Sequence, residues 1–175
     1  MNPKLYWIDG PWPGKLAISA RPRGGDWLED EVAGWRQEGV DVVISLLTPS
    51  ENEDLELGKE CSLSQARGLR FVTFPVEDRG VPTSQEEASK AVAKVNEMLQ
   101  QGKHVVVHCR HGIGRSGMFT AALLVMSGST AEAALNLVSQ VRGLPVPETP
   151  EQREWVRQFS KRVPFRVPLA RASMK

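Results

Sequence analysis

The chain has 175 residues, 41% hydrophobic and 25% charged, with a formal net charge of +1. That is an ordinary globular balance with room for one core. It argues against a nucleic-acid partner, and no run reaches the roughly 18 apolar residues of a membrane span. The opening "MNPKLYWIDGPWPGK" has no apolar leader. Cys61 and Cys109 are too few for a disulfide framework, so a reduced, cytoplasmic chain is expected, in which an isolated thiol can be reactive. Tyr6, the single tyrosine, is expected outside the core.

"KLAISARPRGG" (15–25) predicts a short strand and a loop. "DWLEDEVAGWRQEGV" (26–40) places apolar residues at 28, 32 and 35 before a glycine, which predicts a helix. The apolar run "DVVISLL" (41–47) predicts a strand covered on both faces. "TPSENEDLELGKE" (48–60) reads as an acidic loop leading into a short helix, and "LRFVTFPV" (69–76) as another strand. "EDRGVPT" (77–83) is a loop by its Gly and Pro. Residues 83–102 predict a long helix with a capping box between Thr83 and Glu86. "KHVVVH" (103–108) is a short buried strand, followed by helices over 116–128, 129–143 and 149–162. Thr149 caps the last helix and Pro150 takes its first position. The alternation predicts an α/β domain with a mostly parallel sheet of four or five strands and helices on both faces. One domain is expected over 1–175, with a core over about 15–160. The tail from 161 carries Lys161, Arg162, Arg166, Arg171 and Lys175 and no acid. It is either solvated or a weak contact for an acidic partner.

"HCRHGIGRSG" (108–117) joins a buried strand to a helix, where open α/β sheets bind ligands. A glycine-rich turn there aims backbone N–H groups at one point, and the helix N-terminus adds about half a positive charge. Cys109 opens this anion cradle and Arg115 closes it with a planar fork. A free thiol titrates at about 8.5, and lowering that by about three units takes roughly 4 kcal/mol. The helix end, the amides and Arg115 can supply it, making Cys109 a thiolate nucleophile beneath a bound oxyanion.

His108, Cys109, five residues, Arg115 and Ser116 in this order resemble the signature of the cysteine-based protein tyrosine phosphatases. "GIGRSG" resembles their dual-specificity branch, in particular the kinase-associated phosphatase group and its bacterial relatives. "FPVEDRGVP" (74–82) resembles the family's general-acid loop, and 18–28 and 42–51 its N-terminal half. The resemblance implies a protein phosphatase acting on phosphotyrosine, and on phosphoserine and phosphothreonine as well, through a phosphocysteine. It implies no metal or cofactor. Cys109 is then the nucleophile, Arg115 binds the phosphoryl oxygens, and Asp78, with Glu77 as alternative, is the general acid. An Asp acid predicts a bell-shaped, mildly acidic rate profile. Ser116 donates to the leaving sulfur or simply caps the helix. Arg110, His111, Gly112, Ile113, Gly114 and Arg115 line the substrate, with Arg110 and His111 either selecting acidic or multiply phosphorylated substrates or forming a solvated rim, and Gly112, Gly114 and Gly117 allowing positive φ and close approach of phosphate. His108 orders the loop through the backbone. Gln152 either places the hydrolytic water or is an exposed helix residue, and Arg21 and Arg23 can approach the pocket or remain on the surface. Cys61 is a buried structural thiol or a redox partner of Cys109.

A lone tyrosine suggests a shallow, dual-specificity pocket, unless Trp7 or Trp12 folds over it. Phosphoinositides or RNA 5′-ends are the alternative substrates. A non-catalytic phosphate module, a rhodanese-like sulfurtransferase, an arsenate reductase and a metal site from His104, His108, Cys109 and His111 are the rival readings.

Overall fold

The protein, seen here as a computed structural model, is described over residues 3–163. Arg166, Arg171 and Lys175 of the basic tail therefore lie outside the described residues. Five strands form one sheet: β1 Tyr6–Ile8, β2 Leu16–Ala20, β3 Val42–Ser45, β4 Arg70–Thr73 and β5 Val105–Cys109. Their order is β1-β2-β5-β3-β4, with β1 antiparallel and the rest parallel. Tyr6 therefore belongs to the sheet rather than lying outside the core, because "DGPWPG" turns β1 back onto β2.

The helices are α1 Leu28–Gln37, α2 Pro49–Asp54, α3 Glu60–Ala66, α4 Gln85–Gln100, α5 Arg115–Met126, α6 Ala131–Arg142 and α7 Pro150–Arg162. Successive strand side chains point to opposite faces. Val105 and Val107 thus join one apolar cluster with α4–α7, while Val106 joins a second with α1 and with Leu57 and Leu69 around α3. The α/β architecture with helices on both faces is the expected one. Among the described residues no helix is long and apolar enough to cross a membrane.

Two local expectations are corrected. Residues 49–54 are helical, not loop, because Thr48 and Glu51 close a reciprocal capping box. The α4 cap is Ser84, which accepts from the Glu87 N–H, rather than Thr83.

α5 is buried on nearly every side, so it forms the hub of its layer. On α7, Phe159 is fully buried and stacks on Trp155 at 5.2 Å. Phe159→Ala should lower the unfolding free energy by about 3–5 kcal/mol in urea titrations.

Candidate active site

β5 is the central strand and ends at Cys109, which pairs in register with Ala20 of β2. The chain then loops from 110 to 114 and enters α5 at Arg115. Gly112 sits at φ +68, where a Cβ would also lie 2.7 Å from the Ser19 carbonyl. Only glycine satisfies both demands. Gly114 and Gly117 serve differently from expectation. Gly114 has an ordinary φ of −77, and its bareness lets the loop approach Gln152 and Glu148. Gly117 is helical and leaves room for Val146. The backbone N–H groups of residues 111–114 donate to no protein acceptor among the described residues. An anion in the loop would find them.

Cys109 is buried, with Sγ 3.2 Å from the Ser116 hydroxyl. Ser116 makes no cap bond. Arg110 and His111 are exposed on the rim, and Ile113 is half-buried against the core. Arg142 fastens the loop from outside, its Nε donating to the Gly112 carbonyl at 2.7 Å.

Arg115 is only 2% exposed. Its Nη1 and Nη2 donate to Glu51 Oε2 and Oε1 at 2.7 and 2.8 Å. Nη1 also donates to the Val76 carbonyl at 2.8 Å, and Nη2 to Asp78 Oδ1 at 3.2 Å. Among the described residues Nε has no acceptor. A guanidinium has five N–H bonds, so the edge open to a ligand is Nε together with the bond now given to Asp78. Burial works to lower the Arg115 pKa, but Glu51 and the nearby charges of Cys109, Glu51 and Asp78 hold it above its ordinary value. Burial likewise works to raise the Glu51 carboxyl, yet bonds from Arg115 and Thr48 pull it from 4.5 to about 2.

Asp78, about half exposed, is thus the acid-loop carboxylate that touches the cradle. Glu77 is exposed and its side chain meets none of these groups. The acid loop is tied down elsewhere too. Arg79, at φ +59, pairs with Glu148 at 2.6 Å, and Gln152 Nε2 donates to the Gly80 carbonyl at 3.0 Å. Gln152 is fully buried between the two loops, so the exposed-helix alternative is corrected. It also completes the α7 capping box with Thr149.

His108 differs from expectation. Its Nε2 lies 2.7 Å from Glu60 Oε1, not against backbone, and its ring packs 5.7 Å from Trp35. Both partners are buried. His104 binds the Lys15 N–H through Nδ1 at the far end of β5, away from His108, Cys109 and His111. Trp12 donates to Asn96 and Trp7 packs on His104, so neither covers the loop. Cys61 is exposed rather than buried. Arg23 is engaged by the buried Glu31.

Sequence reasoning passed over Glu51 and Glu60, which grip Arg115 and His108, and Arg142, which bonds the loop from outside. "TPSE" (48–51) carries the Thr-x-x-Glu capping signature that could have flagged the first; nothing local flags the second.

Glutamine at 51 mimics the protonated acid. The depressed Glu51 carboxyl contributes stability that is present above pH 4.5 and lost as pH falls through about 2. Glu51→Gln should therefore cost about 3 kcal/mol at pH 7 by chemical denaturation, with the gap closing toward pH ~2. Glu60→Ala strands His108 Nε2 and should cost about 1–3 kcal/mol, with most of it recovered in Glu60→Gln.

A family model described as "Polymorphic toxin system, DSP-PTPase phosphatase" matches residues 19–129. Human tyrosine-protein phosphatase non-receptor type 5 is 29% identical over 119 residues, covering 64% of this chain and 20% of that protein. The chain spans less than half the length of the curated relatives it matches. Among solved structures, Tk-PTP in the active form superposes with a TM-score of 0.75 at 28% identity, covering 91% of this chain and 97% of that one. Kinase associated phosphatase shares the fold, with a TM-score of 0.85 at 17% identity over 93% of this chain and 97% of the other. Because the matched segment runs from β2 through the 110–114 loop and α5, more than half of the sequence, the chain belongs to the DSP-PTPase phosphatases, within the dual-specificity tyrosine phosphatase family.

Proposed function

We propose that this chain hydrolyses phosphate monoesters on protein side chains through a phosphocysteine, working as a single domain. The Cys109 thiolate attacks phosphorus and the P–O bond to the leaving group breaks. Asp78 gives its proton to the departing oxygen. The Asp78 carboxylate then takes a proton from water, whose oxygen attacks phosphorus. The S–P bond breaks, with Ser116 donating to the sulfur as it leaves and inorganic phosphate released. Arg115, through Nε and Nη2, and the loop amides hold the equatorial oxygens, whose charge is stabilised most in the transition state.

The observation that carries this reading is the Asp78 contact to Arg115, which brings the acid to the rim of the cradle that holds the thiol. The buried Gln152 beside both loops supports a part in placing the water. The single tyrosine has its ring covered by Arg142 at 3.8 Å, which supports a pocket without a tyrosine clamp and hence phosphoserine and phosphothreonine as well as phosphotyrosine. A nucleophilic thiol also fits a reducing compartment such as the cytoplasm.

The test compares phosphotyrosine, phosphoserine and phosphothreonine peptides. Cys109→Ser should abolish turnover yet retain binding. Asp78→Asn should lower kcat by about 10²–10⁴ and remove the alkaline limb of the pH profile. Wild-type rates in both variants would refute the assignment.

A further inference from the structure

The sheet has an open edge at β4. This strand ends the strand order, and its Arg70 N–H and the following Phe74 N–H donate inward to the carbonyls of Asp41 and Ser45. Backbone groups alternate in direction along a strand, so those of Phe71 and Thr73 point away from β3. Among the described residues neither their N–H nor their C=O groups meet a protein partner. Such a row is a template for one more strand.

Beside this edge lies a groove of about 240 Å³ between β4 and α4. Its floor is apolar: Val72 and Phe74 come from the strand side, Val95 from α4 and Phe119 from α5. The Phe74 and Phe119 rings are 6.0 Å apart. Lys90 and Lys94 stand exposed along the rim, and among the described residues no carboxylate lines the groove. Lys90 meets Glu86 one turn earlier, an exposed pair of the weakest kind. Lys94 pairs with no carboxylate among the described residues.

Resting on the phosphatase reading above, we infer that the β4 edge and this groove dock an extended segment of the phosphoprotein substrate, apart from the phosphorylated residue itself. The segment adds a strand to β4 and drops an apolar side chain into the groove. Alternate residues of a strand share a face, so carboxylates two residues away turn toward Lys90 and Lys94. Charge decides the occupant. A second copy would bring its own Arg70, Lys90 and Lys94 to the same edge, and residues 164–175 of the chain carry Arg166, Arg171 and Lys175 without an acid. Both would meet like charge. The placement also suits a substrate. β4, β3 and β5 run parallel, so one end of the docked segment lies at the end of the sheet where β5 delivers Cys109. Three strand spacings, about 14 Å, separate that segment from β5. A flexible linker of about eight residues spans about 15 Å.

The experiment measures kcat and KM on a short phosphotyrosine peptide and on the same peptide joined, at either end, through about eight glycine and serine residues to the segment glutamate, threonine, leucine, threonine, glutamate. One joined substrate should show kcat/KM about tenfold above the short peptide, through KM rather than kcat. Methylating the backbone nitrogens of the segment should remove the gain. Lys90→Glu with Lys94→Glu should remove it too. Thr73→Pro deletes an outward N–H that an edge strand can spare and should reduce it; if that variant fails to fold, the lysine pair carries the test. Rates on p-nitrophenyl phosphate and the short peptide should stay within about twofold of wild type throughout. No gain in wild type, or a gain that survives methylation or the lysine reversal, overturns the docking strand. So does a concentration-dependent dimer in sedimentation that the segment does not dissolve, which would give the edge to a second copy. Fluorescence anisotropy of the labelled segment without phosphate separates the two failures. If the segment binds while p-nitrophenyl phosphate is not turned over, the phosphatase reading falls and the substrate role with it; if turnover is intact and the segment does not bind, the docking strand alone falls.

Discussion

Everything at the loop depends on how the Arg115 guanidinium is held. A charge this deeply buried is tolerable only when it is paired and its N–H bonds are used. Glu51 meets both needs through a two-point contact that fixes the guanidinium plane as well as its position. The Val76 carbonyl takes a third N–H. What remains is Nε and the N–H now given to Asp78. A lysine at 115 would keep the charge and lose the plane. Glu51 also closes the capping box of α2 with Thr48, so one carboxylate sets both the start of a helix and the aim of the arginine.

The acid loop is held from two sides of unequal strength. On its inner side the Val76 carbonyl and Asp78 meet the buried Arg115, and the Gly80 carbonyl meets the buried Gln152. On its outer side Arg79 and Glu148 form an exposed pair, worth at most about 1 kcal/mol. A phosphoryl oxygen would compete with Asp78 for one arginine N–H. On the reading proposed above, an arriving phosphoryl oxygen would release the Asp78 carboxylate from that nitrogen. Gln152 touches both loops, so the late helix α7 shares in their spacing.

Two buried carboxylates from one stretch of chain reach the loop from its two ends. Glu51 grips Arg115 after the loop, and Glu60 grips His108 before it. Cys109 stands between these anchors. Burying carboxylates in an α/β core is costly. Here each is satisfied by a partner that also needs one, and the outlay is tied to the position of a single sulfur.

Much of this was legible in the amino-acid order. Strand and helix periodicities gave the layers, and Val105–Val107 marked the central strand. The spacing from Cys109 to Arg115 and the glycines between them marked the cradle, because a loop's chemistry is local and its residues are neighbours in sequence. Tertiary structure alone decided the rest. Glu51 lies 64 residues from Arg115 and Glu60 lies 48 from His108, and no periodicity records which buried charge will meet which. Only packing settled that Gln152 is buried, that Cys61 is exposed, that β1 closes the sheet edge, and that Asp78 rather than Glu77 faces Arg115. Local sequence sets what each segment can become. The pairing of distant charges is fixed when desolvation forces each to find a partner within the folded core.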